Sequence, residues 1–260
     1  MSELLLVERQ GHICTLTMNR AEKHNSVNPE MLRLMGDTFD SMRDDPQVRV
    51  VILRGVGDRA FSSGFDIGRI DQQVASGEGS QKEFYYASDV IKDFPVPVIA
   101  MIHGICMGGG LEIALSCDMR IAADDARLCI PPARLGVVYR PEGILKFINA
   151  IGAAHTREMF FTARVYNAAR SYEMGLLDYV VPKAELESFT YSLAGEITNN
   201  APLSVKGIKR VINLALSHQA LSAEAKEEAK AITRHAAHSE DVREGTRAFL
   251  EKRKPQFQGR

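Results

Sequence analysis

Short apolar, β-branched runs alternate with stretches of helical spacing along the first half of the chain. Residues 4–8 and 13–18 are strand-like and flank the turn Gln10-Gly11-His12, which predicts a hairpin. Asn28-Pro29-Glu30 has the form of a helix start, with a side-chain cap, a proline in the first turn and then an acid. Met31, Leu34, Met35, Thr38, Phe39 and Met42 follow at helical spacing and predict one buried face, ending before Pro46. Residues 48–53, apolar but for Arg49, and the apolar run 97–102 read as buried strands. Residues 81–94 read as a helix stopped by Pro95, and Ser76 to Ser80 (SGEGS) as a mobile loop near the site. Residues 119–123 and 127–130 add two strands, the second ended by Pro131-Pro132.

From about Pro141 glycines thin out and helical patterns dominate, broken only by a strand at 177–181. Pro202 opens a helix whose Val205, Ile208, Val211, Ile212 and Ala215 share a face. Residues 222–238 are rich in Ala, Glu and Lys, and Ser239-Glu240-Asp241 caps another helix. The pattern predicts an α/β core of repeated strand–strand–helix units over 1–200 and a helical region over 201–260. No linker divides them, so both belong to one domain unit.

Composition changes this picture little. A 45% hydrophobic and 25% charged chain of 260 residues is that of a globular protein with a sizeable core. A formal net charge of −1 gives no electrostatic reason to expect nucleic acid or a membrane as partner. Lys206, Lys209 and Arg210 make a basic helix face, but no aromatic residue interleaves with them, so a solvated face is expected. The N-terminal apolar run is too short for a signal peptide, and no stretch reaches membrane-spanning length. Four scattered cysteines without a C-x-x-C fit reduced, buried thiols in a cytoplasmic protein. The pairs His103/Cys106 and His235/His238 have near-ligand spacing, yet two ligands do not make a metal site, and none is expected. Gly55-Val56-Gly57-Asp58-Arg59-Ala60 imitates a dinucleotide fingerprint but opens onto another strand-like piece rather than a helix, which excludes NAD.

The chemistry concentrates at Gly108-Gly109-Gly110, between the strand at 97–102 and the helical residues Leu111, Ile113, Ala114 and Leu115. A strand, a glycine turn and a helix start aim free N–H groups and the helix dipole at one point, where an anion is favoured. Glu112 falls in the first helical turn, facing the same cavity. The run from His103 to Glu112 (HGICMGGGLE) resembles the centre of the crotonase, or enoyl-CoA hydratase/isomerase, superfamily. Ala60 to Ile67 (AFSSGFDI) is similar to a second motif of that family. Arg20 to Ser26 (RAEKHNS) and the ending from Ser239 to Pro255 match further ones, in the expected order over almost the whole chain.

The resemblance implies a spiral of strand–strand–helix units and a C-terminal helical trimerisation region, giving a homotrimer or homohexamer. It implies an acyl-CoA thioester as substrate, with coenzyme A part of that substrate and no separate cofactor. Phe65 and Gly109 match the two backbone donors of an oxyanion hole that holds the thioester enolate. Ser63, Gly64, Asp66, Ile67 and Gly108 frame those donors. Lys23 matches a lysine beside the adenine nucleotide, with Arg20 and Lys252-Arg253-Lys254 as further partners for phosphate.

The reaction is less determined. Glu112 matches the first of the two glutamates of hydratases, but Pro132 stands at the second place and cannot move a proton. The segment from Pro131 to Tyr139 (PPARLGVVY) resembles the methylmalonyl-CoA decarboxylase branch and puts Tyr139 on its tyrosine, although Phe65 replaces a histidine of that branch. Arg134 and Arg140 either anchor a carboxylate or lie on the surface. Three readings follow: a decarboxylase-like lyase, a hydratase or double-bond isomerase using Glu112, and a non-catalytic CoA-ester-binding protein. Glu112 is either catalytic or a structural carboxylate.

Overall fold

A computed structural model describes residues 4–66, 79–217 and 223–257. Strands β1 (Leu5–Gln10) and β2 (Ile13–Met18) form the expected antiparallel hairpin. Helix α1 (Pro29–Ser41) begins at Asn28, whose side chain accepts from Met31 N at 2.8 Å. Three strand–strand–helix units follow. They are β3 (Val50–Gly55), β4 (Ala60–Ser62) and α2 (Gly79–Lys92); β5 (Val98–Ile102), β6 (Ile105–Met107) and α3 (Gly109–Ser116); and β7 (Met119–Ala123), β8 (Arg127–Cys129) and α4 (Pro141–Thr162). The first strand of each unit joins a six-stranded sheet, in order β1-β2-β3-β5-β7-β10, and the second joins a four-stranded sheet, in order β4-β6-β8-β9. Repeating one unit with parallel neighbours thus builds two sheets side by side. The chain then runs through β9 (Tyr166–Asn167), α5 (Ala168–Glu173), β10 (Tyr179–Val181) and α6 (Leu186–Thr198). The C-terminal region is α7 (Pro202–Ser217), α8 (Ala223–Ala237) and α9 (Glu240–Leu250).

The continuous apolar strands are explained by cover on both faces. Val51, Leu53, Val98, Ala100 and Ile102 face the main core with α1, α2 and α3, whereas Val50, Ile52, Ile99, Met101 and Ile121 face Leu186 and Ala194 of α6. Alternation is hidden because both faces are dry.

Several expectations need correction. The buried stripe of α1 is Met31, Leu32, Met35, Gly36 and Phe39, whereas Leu34 is exposed and Thr38 lies at the edge. A Cβ on Gly36 would lie 2.3 Å from Tyr86 Cε1, so the bare glycine face is where α2 packs and the stripe turns toward it. The helix expected at 81–94 starts earlier, at Gly79, and Gly79 and Ser80 of the expected loop belong to it; residues 76–78 lie outside the described residues. A second strand interrupts the helical half, because Tyr166 and Asn167 complete the edge of the smaller sheet against β8. The later strand covers only Tyr179–Val181.

Lys209 is not part of a solvated face. It is 7% exposed, and its Nζ donates to Asp118 Oδ2 at 2.7 Å and to Val96 O at 3.0 Å. Asp118 Oδ2 also accepts from Val98 N at 2.7 Å, so one carboxylate ties α7 to the start of β5. Lys209→Ala would strand that carboxylate and a backbone carbonyl. The expected loss is about 3 kcal/mol, read as a lower urea midpoint at unchanged slope. The apolar residues Ile208, Val211 and Ile212 on the outer side of α7 are exposed in the single chain.

Candidate active site

Gly108 has φ 51 and ψ −125, a conformation that a side chain disfavours, and its N–H donates to Cys129 O at 2.9 Å, which fastens the turn to β8. The first helical bond of α3 is Glu112 N to Gly108 O at 3.1 Å, which leaves Gly109 N at the open N-terminus. The segment after β4 approaches from the other side. Gly64 has φ 94, and a Cβ there would lie 2.8 Å from Met107 O and 3.3 Å from Gly109 N. Only a residue without a side chain lets these two backbones lie so close. Val27 N donates to Gly64 O at 2.8 Å and Asp66 N to Val27 O at 3.0 Å, a parallel bridge that leaves the Phe65 N–H unused. Among the described residues neither Phe65 N nor Gly109 N donates a hydrogen bond. The Phe65 ring lies against Gly109, where a Cβ would be 2.8 Å from Cε2, and tilts onto Phe84 with centroids 4.9 Å apart.

Glu112 is 2% exposed, and its Oε1 has no hydrogen-bond partner. A Cβ on Gly143 of α4 would lie 2.9 Å from that oxygen and 3.3 Å from Tyr139 Cδ1, so Gly143 is where the carboxylate and the tyrosine ring meet. Tyr139 is held by an edge-on contact with Phe160 at 5.4 Å. The segment carrying it rests on α9, where a Cβ on Gly245 would lie 2.6 Å from the Leu135 backbone. Burial pushes the Glu112 carboxyl above its ordinary range, opposed by Lys146, whose Nζ lies 3.7 Å from Oε1. Burial pushes Lys146 down, opposed by Glu112. Burial and then the Glu112 charge hold the Tyr139 hydroxyl well above the usual phenol range.

Pro132 is buried in a 3-10 turn, and Arg134 beside it is exposed. Arg140 is half-buried, with its guanidinium carbon 4.6 Å from the centroid of the Tyr85 ring. Lys23 is exposed on the 3-10 turn Ala21–Lys23, and that turn is joined to the Phe65 segment by Ser63 N donating to His24 O at 3.0 Å and Ser63 Oγ donating to Lys23 O at 3.3 Å. Ile67 lies outside the described residues. Two of the expected phosphate partners are already occupied: Arg20 pairs with Asp66 at 2.9 Å, and Arg253 pairs with Glu244 at 2.6 Å. The Asp66 carboxylate accordingly serves to hold its own loop. Lys146, Gly143 and Tyr85 escaped the sequence reading. A lone lysine inside the apolar run Ile144-Leu145-Lys146-Phe147-Ile148 was the available signal.

A strand–strand–helix spiral with a helix N-terminus meeting a second backbone segment defines a class, and comparison with known proteins agrees. The chain belongs to the enoyl-CoA hydratase/isomerase family, whose model matches residues 8–260. It is therefore a crotonase-superfamily enzyme acting on CoA thioesters. Carnitinyl-CoA dehydratases of Salmonella agona and Salmonella typhi are each 33% identical to it over the full length of both chains. Methylmalonyl-CoA decarboxylase in complex with 2-nitronate-propionyl-CoA superimposes with a TM-score of 0.92 at 30% identity, covering all of both chains. An enoyl-CoA hydratase/carnithine racemase from Magnetospirillum magneticum superimposes with 0.80 at 30% identity, covering all of this chain and 97% of the other.

Proposed function

We propose that Phe65 N and Gly109 N grip the thioester oxygen of an acyl-CoA and that the chain is a methylmalonyl-CoA-decarboxylase-like lyase. The unused N–H groups and the close approach of Gly64 to Gly109 support the oxyanion hole. One observation carries the choice of reaction: buried Glu112 meets Tyr139 at Gly143, while the place of a second hydratase glutamate is filled by buried Pro132. Decarboxylation needs no second base. The carbon–carbon bond to the carboxylate breaks, its electron pair becomes the enolate, carbon dioxide leaves, and protonated Glu112 donates its proton to the α-carbon and is reprotonated from solvent. Tyr139, whose high pKa keeps its hydroxyl protonated, is a hydrogen-bond donor for the substrate carboxylate. Lys23 and the half-buried Arg140 are candidates for the CoA phosphates and the acyl carboxylate, and no cofactor beyond the substrate's own coenzyme A is needed.

A second reading, dehydration or hydration with Glu112 as the single acid and base, is favoured by the full-length similarity to carnitinyl-CoA dehydratases. A panel of CoA thioesters read by mass spectrometry separates the readings. Loss of carbon dioxide from methylmalonyl- or malonyl-CoA is expected, slowed roughly 10- to 150-fold in Tyr139→Phe, the size of one hydrogen bond to a charged group. Silence on both with turnover of crotonyl- or carnitinyl-CoA establishes the second reading. Binding without any turnover leaves a CoA-ester-binding protein.

The proposal extends to a homotrimer or homohexamer joined through the exposed apolar side of α7, with residues 1–200 and 201–260 as one unit in each subunit. Cytoplasmic residence is proposed from four buried, unpaired thiols, which suit a reducing compartment. Among the described residues no helix is long and apolar enough to cross a membrane.

A further inference from the structure

The proposed chemistry uses Glu112 but leaves a buried cation beside it unexplained. Lys146 projects from α4 into the space between α2 and α3, where its Nζ donates to Ser88 Oγ and, at 3.0 Å, to Ser116 Oγ, and lies 3.7 Å from Glu112 Oε1. Proton counting shows how the two hydroxyls are arranged around it. Ser116 Oγ donates to Glu112 O at 3.0 Å, so its one proton is committed and it can only accept from Lys146. Ser88 Oγ lies 2.9 Å from Ser116 Oγ, and with the Ser116 proton spent, Ser88 is the donor of that pair. Ser88 and Ser116 thus present two acceptors and no donor to Nζ, and Glu112 Oε1 stands beyond them at ion-pair distance. An ammonium group serves both hydroxyls and turns its third N–H and its charge toward Glu112.

We infer that Lys146 is a positioning residue that acts through Glu112: its ammonium group, fixed by Ser88 and Ser116, stabilises the Glu112 carboxylate left when the proton passes to substrate. This rests on the reading of Glu112 as the group that exchanges a proton with the α-carbon or a water. The physical reason is the site's dryness. A carboxylate at this depth is strongly disfavoured without a counter-charge, so Glu112 alone would hold its proton too tightly to release it. Other charged and titratable groups face the pair: Tyr85, Asp89 and Lys92 from α2, Tyr139 from the segment before α4, and Cys117 at the end of α3, while Arg140 and Glu142 act on Tyr85. Of these Asp89 disfavours an ionised Glu112, whereas the Tyr85 and Tyr139 hydroxyls stay protonated and carry no opposing charge, and Asp89 and Lys92 are exposed, where solvent screens them.

The test is direct titration of the Glu112 carboxyl carbon by NMR in carbon-13 glutamate-labelled protein, with the signal assigned by its absence in Glu112→Gln. Lys146→Met is expected to move the Glu112 midpoint to higher pH by about one unit or more, the range of a lost opposite charge at this distance. Lys146→Arg is expected to leave it near the wild-type position. In turnover, the alkaline limb of the pH profile, where Glu112 loses the proton it must donate, shifts to higher pH with the titration, and kcat falls roughly tenfold or more while KM changes little. Should Lys146→Met not fold, Ser88→Ala removes one acceptor for the ammonium and moves the midpoint in the same direction by a smaller step. An unmoved midpoint in whichever folded variant is measured overturns the inference, even if activity falls, because a purely structural lysine would lower activity without touching the titration. Failure of the decarboxylase reading is recognised separately, by the absence of carbon dioxide release from the unmodified enzyme, and leaves the titration result standing.

Discussion

Gly64→Ala is expected to lower turnover on the best thioester by roughly 100- to 1000-fold, the effect of losing one oxyanion donor. Gly64 holds φ 94, which strains any side-chain-bearing residue by about 1–3 kcal/mol. The larger effect is geometric. The new methyl would lie 2.8 Å from Met107 O and 3.3 Å from Gly109 N, both backbone atoms that cannot swing aside as a side chain would. Relief requires the Phe65 segment and the Gly108–Gly109 turn to separate, and their close approach is what aims two N–H groups at one oxygen. Because the donors act on charge that develops in the enolate, kcat should fall far more than affinity for a non-reacting CoA ester. Turnover within a few-fold of wild type in a folded Gly64→Ala protein would mean that these two backbones do not share the oxyanion.

The second large effect is expected from Glu112→Gln, a loss of roughly 100- to 10,000-fold in turnover, the range spanned by general acid–base groups. The amide keeps the volume that fits against Gly143 and Tyr139, so packing is preserved and the proton-carrying function is what disappears. Steady-state rates on the substrate found in the panel, with far-UV circular dichroism as the control for folding, measure it. A variant that keeps a third or more of the activity would make Glu112 a structural carboxylate.

Much of the core was legible because its signals are local. The Asn28-Pro29 start of α1 and the passage from strand through Gly108 to α3 each depend on a few consecutive residues, and both stand as read. The signals that misled were the ones whose meaning depends on a distant neighbour. Leu34 and Thr38 have helical spacing, but Gly36 decides which side of α1 receives α2. Lys209 looks like a surface charge until Asp118 is found beside it. Arg20 and Arg253 look available for phosphate until Asp66 and Glu244 occupy them.

By itself the sequence determined the α/β class, the membership of a thioester-processing family and the two segments whose backbones meet, since each is written in contiguous motifs and short-range spacing. Tertiary structure alone decided the surroundings of Glu112. Tyr85 and Ser88 come from α2, Gly143 and Lys146 from α4, and no periodicity links them to α3. Their effect is electrostatic and depends on distance in space and on exclusion of water, and neither quantity is encoded in the order of residues along the chain.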